Sequence, residues 1–150
     1  MTNKNLIIAG AVGAALLSAA AGGAAWAHHA FAAEFDGKAP VLLRGKVTRV
    51  EWINPHAWVH INAVDQTGKT TAWMVEGGTP NTLLRSGIDR NSLKPGTEII
   101  VRGYQSKDKL CRPACKANGR DVTFPDGKKL FMGSSGTGAP SDGSDPTERK

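Results

Sequence analysis

Cysteine and aromatic residues are scarce in this chain: 2 Cys, 1 Tyr, 4 Phe and 4 Trp among 150 residues. Two thiols are too few to knit a disulfide-built scaffold. There is no collagen-like period, no heptad run and no repeat of roughly 20 to 50 residues, which excludes fibres, coiled coils and solenoids. Catalytic signatures are missing too: no nucleophile elbow, P-loop, dinucleotide fingerprint or His-Glu-x-x-His occurs. Ser86, Ser92 and Ser106 lack any local context that activates a hydroxyl, and nothing places two carboxylates across a cleft. Hydrolase chemistry is therefore unsupported, and no catalytic residue is assigned.

What is present points to one exported domain. Residues 2–5 put a single positive charge, Lys4, ahead of an uncharged Ala/Gly/Leu-rich stretch from Leu6 to Ala27. That is the layout of a secretory signal, and Ala25-Trp26-Ala27 offers the small residues read by a signal peptidase, so cleavage is expected after Ala27. An uncleaved anchor is the competing reading, since about 20 apolar residues can span a bilayer, but this run is only weakly hydrophobic. The expected product is periplasmic and keeps no membrane span. Losing Lys4 takes the net charge from +6 to +5. Outside the cytoplasm such basicity has little nucleic acid to meet, so an envelope protein or cell-wall polymer is the more fitting partner. The chain leaves the oligomeric state open.

Ser134 to Lys150 contains no Val, Ile, Leu or Phe and is expected to be a disordered tail. Between them, residues 28–40 read as an N-terminal segment and 41–133 as the folded domain. Val41 to Ile53 is rich in β-branched residues and ends at Asn54-Pro55. Trp58 to Val64 alternates, with Val59, Ile61 and Ala63 on the face expected to meet the core. Asp65 to Gly68 is a turn into a third strand, Lys69 to Glu76. Thr79 then N-caps a short helix with Pro80 at its first position and Gly87 as its stop, and Leu83 and Leu84 are expected to plug the core. Thr97–Tyr104 and Arg120–Phe124 supply strands four and five, and Pro125-Asp-Gly127 turns the chain into Lys129–Met132. This order is that of a mainly all-β protein, a small five-stranded OB-like Greek-key barrel with one short helix between strands 3 and 4. An open β-sandwich or half-barrel is the alternative.

Three stretches carry a resemblance: His28-His-Ala-Phe-Ala-Ala-Glu-Phe-Asp36, Gly45-Lys-Val-Thr-Arg-Val-Glu-Trp-Ile-Asn-Pro-His56, and Asn118 to Ser134. Together they resemble a family of small exported bacterial proteins of uncharacterised function. The resemblance implies an exported β-rich protein and brings no reaction or catalytic residue. It also implies that the insert from Cys111 to Cys115 belongs to only some relatives.

All four histidines fall in two groups, His28 and His29 at the expected mature start, and His56 and His60 after the Asn-Pro turn. Cleavage after Ala27 gives His28 a free α-amine of pKa about 8, which deprotonates readily for a metal. Amine and imidazole then chelate, and planar nitrogen donors suit copper(II). A nitrogen from His56 completes a T-shaped site resembling the histidine brace of copper monooxygenases. A competing mode uses the amine with the amide and imidazole of His29. On a strand, His56 and His60 lie roughly 13 Å apart at about 3.3 Å per residue, so only one joins, with His56 at the turn favoured. Glu34, Asp36 and Glu51 are candidates to orient an imidazole. Trp58 and Trp52 are candidate ligand-stacking residues, with Phe31 and Phe35 as a lid holding His28 near His56. Cys111 and Cys115 are expected to form a local disulfide.

These features lead to a ligand- or partner-binding module, with copper as its sharpest form. A copper-dependent redox enzyme and a metal-free envelope interaction protein with a basic aromatic face are the alternatives. The plain reading of the same histidines is a loose terminus beside ordinary sheet residues.

Overall fold

The computed structural model describes residues 31–133. The expected signal segment 1–27, His28, His29 and the tail 134–150 lie outside the described residues. Six strands follow in order: β1 (Phe35–Glu51), β2 (Trp58–Val64), β3 (Thr70–Glu76), then helix α1 (Pro80–Arg85), β4 (Glu98–Ser106), β5 (Cys115–Thr123) and β6 (Lys129–Phe131).

The long β1 pairs with β2 along its second half and with β4 along most of its length, both antiparallel. β2 pairs with β3, and β4 with β5. A parallel seam between β3 and β5, with Trp73 opposite Cys115 and Glu76 opposite Asn118, closes these five strands into a ring. This is the five-stranded Greek-key barrel expected from the element order. β6 adds to β5 past the end of that seam, with Asp121 opposite Phe131.

The barrel interior follows strand alternation. Val47, Val59, Ile61, Val75, Val101, Ala117 and Val122 are all buried, and they interdigitate as the inward halves of their strands. α1 begins as its sequence dictates: Thr79 accepts from the amide of Thr82, and Pro80 sits where its missing donor costs nothing. Gly87 at φ 84° ends it. Leu83 enters the core with Ile88 and Leu93, closing one end of the barrel. Leu84, expected beside it, is instead 53% exposed. On so short a helix adjacent residues point roughly 100° apart, and only one of the pair can face inward.

Other boundaries also differ from the sequence expectation. β1 starts at Phe35 rather than Val41, running through Pro40 opposite Tyr104. A bulge between Phe35 and Pro40 accommodates the proline, which has no donor for the ladder. β5 starts at Cys115 rather than Arg120, because the seam with β3 supplies backbone partners that local propensity does not. Cys115 is thus the first residue of a strand and not part of a loop.

A second apolar cluster lies apart from the barrel core. Phe31, Phe35 and Tyr104 pack together, with ring centroids 5.8 Å apart for Phe31–Phe35 and 5.7 Å, edge to face, for Phe31–Tyr104.

Candidate functional site

Register places four residues in a line across the barrel wall. Trp58 lies opposite Glu76, Glu76 opposite Asn118, and Asn118 opposite Tyr104. Their chain neighbours Val59, Val75 and Ala117 fill the interior, so this row faces outward. At its Tyr104 end the row is covered by Phe31 and Phe35. The helical turn 31–34 is tied down there: the amide of Lys107 donates to the Glu34 carbonyl at 2.9 Å, Ser106 Oγ donates to the same oxygen, and the Lys107 ammonium reaches the carbonyl of Ala32.

His56 stands beside the row. Its Nδ1 is 3.3 Å from the carbonyl oxygen of Gly77 and 3.7 Å from Oε1 of Glu76. Both neighbours are acceptors, so Nδ1 is the ring nitrogen placed to donate and Nε2 the one placed to serve a ligand. Glu76 is 8% exposed and accepts from Asn118 Nδ2 at 3.2 Å. Burial pushes the Glu76 carboxyl above its ordinary range, His56 pulls it down, Glu34 pushes it up, and Asn118 and Lys116 pull it down. Lys116 in turn lies 3.6 Å from Glu34. Asn118 is 2% exposed, and its Oδ1 is buried without a hydrogen-bond partner.

His60 is placed differently. It is buried on the same outer face, and its Nε2 is 3.0 Å from Oε1 of Glu51, which also pairs with Arg49. Glu51, considered as a partner for a metal-bound imidazole, therefore serves His60. His56 is held at Nδ1 by the Gly77 carbonyl, and the carboxylate beside it is that of Glu76, 3.7 Å away. Sequence reasoning missed it because a carboxylate ending a strand before two glycines looks solvated until β5 arrives beside it. Asp36 accepts from the backbone of Lys38.

Trp58 is half-buried in the row. Trp52 packs against the barrel core, with the Arg90 guanidinium 5.4 Å above its ring. That cation occupies one face of Trp52. Cys111 and Cys115 are joined in a disulfide. Among the described residues no group of three or more His, Cys, Asp or Glu side chains is arranged to hold a metal ion. No described helix is long and apolar enough to cross a membrane. A groove of about 770 Å³ lined by Arg44, Lys46, Asn62, Ile100 and Phe124 shares no residue with the row.

Neither a curated protein nor a solved structure matches this chain. A family model does match, over residues 15–112. Its span takes in both histidine groups, β1 to β4 and α1, and stops short of β5. On that match the chain belongs to the family of unknown function DUF6152.

Proposed function

We propose that the protein is an exported, periplasmic binding module whose ligand is copper, held by the mature N-terminus at His28 together with His56. The observation that carries this reading is the docking of turn 31–34 beside the His56–Glu76 pair. The turn begins three residues after His28, and its Glu34 acts electrostatically on Glu76. His56 supports a ligand role because its Nδ1 meets the Gly77 carbonyl with the Glu76 carboxylate close by, an arrangement that leaves Nε2 as the donor. The donor set fits the metal in kind: one oriented imidazole in the described part, with amine and imidazole nitrogens to come from His28. Bound there, copper(II) would be held by nitrogen donors, the ligand type that suits it. His29 offers the competing amine–amide–imidazole mode. His60, closed off by Glu51, is left out of the site.

A carrier that hands copper to another envelope protein accords with a site assembled on the outer face of a barrel. The test is a copper titration of untagged protein whose start at His28 is verified by mass. A chain with one residue added before His28, and a His56→Ala chain, are titrated alongside. The reading expects tight one-to-one binding, lost on extension and weakened by His56→Ala. Equal affinity in all three chains overturns it.

A further inference from the structure

The groove that shares no residue with the His56 row has a geometry of its own. In register, Arg44 of β1 lies opposite Ile100 of β4, and Ile100 lies opposite Thr123 of β5. Their chain neighbours Leu43, Ile99, Val101 and Val122 are buried in the core, so Arg44, Ile100 and Thr123 face outward. One wall is the end of β2, where the exposed Val64 pairs with Thr70 across the Asp65–Gly68 turn. The other is the hairpin between β5 and β6. Its turn is fixed at Phe124, whose amide donates to the Lys128 carbonyl and whose carbonyl accepts from Gly127, both at 2.9 Å. The space between these walls, about 770 Å³, is within the roughly 300–1,000 Å³ of small-molecule sites.

The lining is apolar with one cation left over. Val64, Ile100 and Phe124 all turn apolar surface into the groove. The charged side chains there are Arg44, Lys46 and Glu98. Lys46 and Glu98 lie 3.4 Å apart and offset each other. Arg44 is exposed and makes no hydrogen bond or ion pair among the described residues. The groove therefore carries one net positive charge, beside surface that only an apolar group can cover with profit.

We propose that this groove binds a fatty-acid carboxylate, its head on Arg44 and its alkyl chain along Val64, Ile100 and Phe124. A guanidinium takes a carboxylate through two parallel N–H donors, which fixes the head and aims the chain. A single negative charge matches the single unpaired cation. A dianionic phosphate head would leave one charge unanswered near Glu98, and an uncharged lipid would leave Arg44 without a partner. The site involves neither copper nor the N-terminus, so it stands or falls apart from the carrier reading.

The test is calorimetric titration of the untagged protein with hexanoate, octanoate and decanoate, each below its micellar concentration. One-to-one binding is expected, tightening by about two- to fourfold per added methylene. Acetate, which has the head alone, and 1-decanol, which has the chain alone, are expected to bind at least about tenfold more weakly than decanoate. Arg44→Gln is expected to bring decanoate down to the level of decanol. Val64→Asp, a second change at an exposed position, is expected to weaken decanoate by about tenfold or more. Amide shifts of the unmutated protein locate the ligand without any variant, and they are expected at Val64, Thr70, Ile100 and Thr123. Absence of decanoate binding, equal binding of decanol, indifference to Arg44→Gln, or shifts confined to other residues overturns the proposal. Tighter binding of acetyl-Leu-Leu than of decanoate also overturns it, in favour of a peptide carboxyl end.

Discussion

Glu76 and Asn118 face each other across the parallel seam that closes the barrel, and Asn118 Nδ2 donates to Glu76 Oε1 over 3.2 Å. The bond joins residues 42 apart in sequence and satisfies a carboxylate that is nearly out of solvent. Asn118→Ala removes the donor and leaves that carboxylate short of a partner. The orphaned Oδ1 disappears with it, so the expected loss is moderate, about 1–2 kcal/mol in urea denaturation at neutral pH.

His60 sets a pH dependence of the opposite kind from an acid-stabilised ion pair. Burial lowers its pKa from 6.5, Arg49 adds to the shift, and Glu51 opposes it. A base with a depressed folded pKa is held neutral by folding, so its contribution is complete above the unfolded pKa and shrinks as pH falls through the folded one. Stability of the metal-free protein is therefore expected to decline as pH drops below about 6.5. His60→Gln flattens the curve in that window. Denaturation midpoints collected across it for both chains check the point, and parallel curves would contradict it.

The two leucines of α1 separate burial from hydrophobicity. Leu83 is fully enclosed among core residues while its neighbour Leu84 is 53% exposed. Leu83→Ala is expected to cost about 2–5 kcal/mol, and Leu84→Ala to stay within about 0.5 kcal/mol. Chemical denaturation of the pair gives the comparison.

Gly45 is the residue at which β1 is hydrogen-bonded on both sides, opposite Ala63 and Ile99. A Cβ there would lie 2.1 Å from the carbonyl oxygen of Asn62 and 2.7 Å from Cα of Ala63, both backbone atoms that cannot swing aside. Gly45→Ala is expected to destabilise by about 3 kcal/mol or more, or to abolish soluble expression. Wild-type stability in this variant would show that β1 and β2 separate more easily than their register implies.

Phe31 links packing to the proposed site. Phe31→Ala removes the edge-to-face contact with Tyr104 that anchors the segment following His28. If that anchor raises the effective concentration of the N-terminal nitrogens at His56, copper affinity falls by about tenfold or more while stoichiometry stays at one. Unchanged affinity in a folded Phe31→Ala chain would mean that the terminus finds His56 unaided.

Much of the architecture was legible in the sequence because local signals agreed with the global fold. The alternation in Val59, Ile61 and Ala63, the Asp65–Gly68 turn and the Thr79-Pro80 start each specify one geometry. The start of β5 was not legible. Cys115-Lys-Ala-Asn-Gly119 contains no β-branched or aromatic residue, and it is a strand because β3 pairs with it from 42 residues away. For the same reason, the histidines could be seen as candidates while their partners could not. Glu51 was a candidate to orient an imidazole without a named histidine, and sheet register delivered it to His60 while bringing Glu76 beside His56. Residues brought together by a seam have no spacing to betray them.

That seam also sets a timetable for the chain. β3 and the ring-facing edge of β4 keep open backbone until Cys115–Asn118 arrives, and this is almost the last structured stretch to be made. The barrel therefore cannot close while its C-terminal quarter is still missing. Such a chain waits with two sticky edges, slow by virtue of its non-local pairing, and dependent on whatever keeps unfinished strands apart. The export proposed above accords with this delay, since nothing in the first hundred residues can lock into the finished ring before Cys115–Asn118 has followed.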